Sequence, residues 1–163
     1  MYPAGWHLGA IAALALTTAA AEDGKIVASS GTVTIAATPV EFTLASPQAE
    51  PDKPLTTRLR QTRSAHLSLV LSELSADVPP GTTYNVFLGH APPGANAGDP
   101  HYVGTFGLFD IAESGQSIPF DVTERIATLL EGGDLTDPLV VSIVPRGGKP
   151  GPISIARIEL LEQ

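Results

Sequence analysis

The chain is 163 residues long, with 16 glycines, 15 prolines, no cysteine and a formal net charge of −8. That length is one domain's worth with room for a real core, and 43% apolar residues exclude wholesale disorder. The acidic balance argues against nucleic acid as a partner, and zero cysteines exclude a disulfide framework, a thiolate metal site and a cysteine nucleophile.

Residues 1–21, MYPAGWHLGAIAALALTTAAA, carry no charged side chain. Leu8 to Leu16 is an apolar run, and Ala19-Ala20-Ala21 before Glu22 resembles a small-residue cleavage site. The segment reads as a secretory signal peptide, which places the protein outside the cytoplasm, secreted or periplasmic. The missing Lys or Arg leaves an alanine-rich tail as the other reading. The run falls short of the roughly 20 apolar residues of a membrane span, so no stable span is expected.

From Gly24 the pattern turns to β, and 26–163 reads as a single domain. Thr32–Ala36 and Val40–Ala45 alternate as strands around a Thr38-Pro39 turn. Ser46–Arg63 is the most polar stretch and reads as a surface loop at 46–63, with Arg58, Arg60 and Arg63 on a solvated face. Ala65–Leu74 alternates, with Leu67, Leu69 and Leu71 on one face and Glu73 as the next position on it. Tyr84–Leu88 and Tyr102–Phe109 are two further strands, joined by a proline- and glycine-rich loop too long for a tight hairpin. Ser117–Phe120 is a short strand.

Asp121–Glu131 is the one convincing helix, at about 122–131. Asp121 or Thr123 is its candidate cap, Val122, Ile126, Leu129 and Leu130 its apolar stripe, and Gly132-Gly133 its end. Leu139–Pro145 is nearly all apolar and reads as a central strand covered on both faces. Ile153–Leu161 closes the sheet, with Ile153, Ile155, Arg157, Glu159 and Leu161 on one face by alternation. About eight strands and one short helix make an all-β, antiparallel β-sandwich.

No nucleophile elbow, phosphate-binding loop, dinucleotide fingerprint or zinc-protease motif occurs. Of four histidines, none is paired at metal-ligand spacing. His90 and His101 flank the long loop, whose closure could bring them together, but with Asp99 they would make a weak site. Neither catalytic residue, metal nor cofactor is predicted. The loop is instead the candidate place for contact with a partner, through His90, Pro92, Pro93, Asn96, Asp99, His101 and Tyr102. Phe106 and Phe109 are further candidates, with packing in the core as their plainer role.

The blocks YNVFL, DPHYVGTFGLFD, PFDVTERIATLLEGG, PLVVSIVPRGG and ISIARIELL, in that order, resemble the C-terminal β domain of the tyrosinase and polyphenol oxidase family. The resemblance covers 84–163 well and 26–75 more loosely. In that family the oxidase activity lies in a helical domain that holds two coppers through six histidines. The β domain packs over it and shields the active-site entrance until proteolysis.

The resemblance therefore implies a noncatalytic accessory domain, partnered with a type-3 copper oxidase domain in trans. The alternative is an independent secreted β-sandwich binding module, taking a carbohydrate or protein ligand through the long loop.

Overall fold

In this computed structural model the described residues are 24–46, 53–62, 65–76, 82–107, 115–148 and 151–163. The elements, in chain order, are β1 (Lys25–Ser30), β2 (Val33–Ile35), β3 (Val40–Leu44), α1 (Leu55–Gln61), β4 (Leu67–Ala76), β5 (Thr83–Leu88), β6 (Tyr102–Gly107), β7 (Gln116–Asp121), α2 (Thr123–Gly132), β8 (Leu139–Arg146) and β9 (Ile153–Glu162). They form two antiparallel sheets. Sheet A runs β1-β9-β4-β7, with β2 also on β9, and sheet B runs β3-β8-β5-β6. The fold is an all-β sandwich.

Alternation explains which residues enter the core. Leu67, Leu69 and Leu71 of β4 face Val86, Leu88 and Ile143 of sheet B across one buried cluster. Burying each such side chain contributes about 1.5–3 kcal/mol, so the leucine ladder is a main source of stability.

The ladder then changes phase. Leu74, not Glu73, is the next residue of β4 in the apolar core, and Ile158 and Leu160, not Glu159 and Leu161, join Ile153 and Ile155 in it from β9. The two irregularities face each other, because Leu71 pairs with Ile158 and Leu74 with Ile155. Each strand inserts two residues where alternation allows one, so the β4–β9 register is unbroken, whereas the register of β4 against β7 shifts between Leu71 and Leu74. Glu73, inside the irregularity, has φ 54°. Strict alternation therefore fails for Glu73, and for Arg157, which is exposed.

The two sheets meet at both edges. Ser29 and Ala45 exchange backbone hydrogen bonds of 2.8 and 2.9 Å, joining β1 to the end of β3. At the other edge Gly104 of β6 lies under the ring of Phe120 of β7.

Leu55 and Leu59 of α1 join Val122, Ile126, Leu129 and Leu130 in the same core cluster. Helix α1 lies within the segment expected to be a loop. Its leucines are four apart and therefore share one face. Arg60 donates to the carbonyl of Leu130 at 2.8 Å, placing a cation at the C-terminus of α2, and Arg58 bonds Ser46. Arg63 lies outside the described residues.

Helix α2 keeps its expected stripe and its end, where Gly133 is left-handed at φ 76° and the amides of Gly133 and Asp134 bond to Leu129. Its N-cap is Val122, without a side-chain cap; Asp121 stands one residue earlier and accepts the Thr123 amide at 3.0 Å. Nine strands and two helices thus occur among the described residues, against about eight and one expected.

Candidate interaction site

The loop between β5 and β6 is a succession of three turns. Pro92 to Ala95 is closed by the Ala95 amide on the Pro92 carbonyl at 2.9 Å. Pro93 and Gly94, the latter at φ 80°, hold the positions that a type II turn reserves for proline and glycine. The second turn, Asn96 to Asp99, is closed at 3.0 Å, and the Asn96 side chain also accepts the Gly98 amide at 2.8 Å. The third, Asp99 to Tyr102, is closed at 3.0 Å, with the Asp99 carboxylate accepting the His101 amide at 2.9 Å. Asn and Asp perform their usual side-chain turn duty here.

Residues from four other elements hold this chain of turns. Ser142 of β8, fully buried, donates to the Gly89 carbonyl at 2.6 Å and accepts the Ala91 amide at 3.1 Å. The Gly89 amide bonds the Val140 carbonyl at 2.7 Å, and Leu88 bonds His101 across the loop base at 2.9 Å. Glu41 of β3 meets Nδ1 of His90 at 2.9 Å. Arg125 of α2 donates to the Pro100 carbonyl at 2.9 Å. Phe87, Ala95 and Val140 are buried but lie outside the main core cluster. Phe87 packs edge-on to Tyr102, with centroids 5.8 Å apart, so sheet B carries a small second apolar cluster on its outer side.

Each candidate contact residue has a definite place. His90, Pro92, Pro93 and Asn96 are exposed, whereas Asp99, His101 and Tyr102 are half-buried. Tyr102 bonds Thr105 at 2.8 Å, which in turn donates to Asn85 at 2.7 Å. Phe106 is buried and stacks on Tyr84, with centroids 5.1 Å apart. That packing removes Phe106 from the contact set, while Phe109 lies outside the described residues. Loop closure does not unite the two histidines in a metal site: His90 takes Glu41, and His101 has Asp99 at 3.9 Å. Among the described residues no group of three His, Cys, Asp or Glu could hold a metal ion.

A second constellation looks like a catalytic relay on first sight. His66 Nδ1 lies 3.2 Å from the Thr123 hydroxyl and 3.8 Å from Asp121. Both contacts use the same ring nitrogen, whereas a relay needs the orienting carboxylate and the nucleophile on opposite nitrogens. The Thr123 hydroxyl also accepts the Leu67 amide at 2.9 Å. The group ties β4 to the start of α2.

Ser142, Glu41 and Arg125 went unnoticed in the sequence. For Ser142 a signal existed, because a lone hydroxyl in a strand covered on both faces must find buried partners.

No protein-family model matches the chain, and no curated protein does. Solved structures do. A recombinant latent aurone synthase, a polyphenol oxidase, matches 80% of this chain with TM-score 0.51 and 18% identity. A latent apple tyrosinase matches 79% with TM-score 0.52 and 16% identity. The fold is that of one part of a polyphenol oxidase. This chain covers only 25% and 26% of those two chains, and at such identities the likeness is one of fold. The region shared with polyphenol oxidase spans the sandwich as a whole, not the loop alone, since four-fifths of this chain takes part.

Proposed function

We propose that this sandwich is a noncatalytic accessory domain that packs on a type-3 copper oxidase domain and limits access to its copper site. The observation that carries this reading is the asymmetry of the match: most of this chain corresponds to about a quarter of a latent polyphenol oxidase. The order of sequence blocks along 84–163 supports it independently. These 163 residues contain four histidines, too few for the six-histidine copper pair of that family. Among the described residues no helix is long and apolar enough to cross a membrane.

Affinity purification of the tagged chain from its native cells tests the reading. The expected result is recovery of a type-3 copper oxidase, identified by mass spectrometry. Recovery of glycan-processing proteins or glycans instead would favour a sugar-binding module.

A further inference from the structure

We infer that the partner, the copper oxidase domain, is gripped by the tip of the β5–β6 loop, residues 91–98, acting as a rigid, uncharged wedge that fits a cleft on its surface. The inference rests on the accessory-domain reading and names the contact surface. Three observations carry it.

The first is preorganisation. Three consecutive turns, the double bond to Ser142 and the anchors at Glu41 and Arg125 fix the loop before any partner arrives. A segment already ordered loses little conformational entropy on binding.

The second is charge. The chain carries −8, yet Ala91 to Gly98 contains no ionisable side chain. Charged groups stand only at the loop's two roots, where His90 meets Glu41 and Asp99 faces His101. A neutral tip enters a cleft without the cost of stripping water from a charge.

The third is chemistry. Pro92, Pro93, Asn96, Ala97 and Gly98 are all exposed. Proline rings are apolar and have little rotamer freedom to lose, while Ala and Gly permit close backbone approach. Ser142, Glu41 and Arg125 are then positioning residues: they hold the loop and do not touch the partner.

The test uses the full chain and the copper oxidase recovered with it, with affinity measured by titration. Replacing both Pro92→Ser and Pro93→Ser is expected to weaken binding at least tenfold while lowering the melting temperature by only a few degrees. Ser142→Ala is expected to weaken binding and to accelerate amide hydrogen exchange at Gly89 and Ala91. Val70→Thr, on the outer face of sheet A, should leave binding unchanged. If the oxidase binds the loop variants as tightly as the wild type, or if Val70→Thr weakens it, this inference falls and the accessory reading stands. If the wild type recovers no oxidase, both fall. Random-coil exchange at Gly89, Ala91 and Ala95 in the wild type would overturn the rigid wedge whatever the partner.

Discussion

Gly104 on β6 faces the ring of Phe120 on β7 so closely that a Cβ at position 104 would lie 2.7 Å from two ring carbons. These residues seal one edge of the sandwich, and Gly104 has no side chain because the ring takes the space. Gly104→Ala should destabilise the fold by about 1–3 kcal/mol through overpacking. Denaturant unfolding measures this. In the double variant with Phe120→Ala the loss should be smaller than the sum of the two single losses, since removing the ring frees the space. Strict additivity would show that the two residues do not compete.

The left-handed backbone of Glu73 gives a second expectation. A side chain in that region costs about 1–2 kcal/mol, and a β-branched one fits worst. Glu73→Gly should be neutral or stabilising, whereas Glu73→Val should fall below it by about that amount in thermal or denaturant unfolding.

How much of this was readable in advance depends on where local pattern and long-range contact agree. β5, β8 and α2 were legible because their apolar spacing matches their burial. Glu73 and Arg157 were misplaced because two opposed irregularities keep the β4–β9 register while shifting the core phase, and single-strand alternation carries no trace of a shift that β9 shares with β4. Helix α1 was hidden by its polar, proline-rich surroundings, although Leu55 and Leu59 carried the signal. β1 (Lys25–Ser30) was missed; only Val27 and Ala28, consecutive in sequence, are buried in it. In the loop, the turns were legible from proline, glycine, Asn96 and Asp99. The anchors Ser142, Glu41 and Arg125 were not, because each lies at least 25 residues from the loop position it holds and only the topology brings them together.

Tyr84 supplies a third test. Its side chain is fully buried, its hydroxyl has no hydrogen-bond partner among the described residues, and burial pushes its pKa above the ordinary tyrosine value. Tyr84→Phe should therefore stabilise the protein by about 1 kcal/mol at neutral pH, because an unsatisfied buried hydroxyl disappears. A raised folded-state pKa means that the stability is fully present below the unfolded value of about 10 and is lost as pH rises through the folded one. The wild type should lose stability above that pH faster than Tyr84→Phe. Parallel alkaline unfolding curves would contradict this account.

Asp121 titrates in the opposite sense. The Thr123 amide and hydroxyl, with His66 as a lesser contributor, hold its carboxyl below the ordinary carboxylate value. A depressed folded-state pKa contributes stability that is present above the unfolded value of about 3.9 and is lost as pH falls through the folded one. The effect is modest because the side chain is 66% exposed. Asp121→Ala should lower the melting temperature at pH 7, with the gap to the wild type narrowing below about pH 4. A gap that persists unchanged into strong acid would mean that the carboxylate plays no part.

The proposed capping of a copper oxidase is tested most directly by the rate of phenol oxidation by the co-purified type-3 copper oxidase, freed of this chain and then titrated with it. The account predicts a saturable fall in rate that levels off at one chain per copper domain and is reversed by proteolysis of the sandwich. A rate unchanged at excess chain would contradict it.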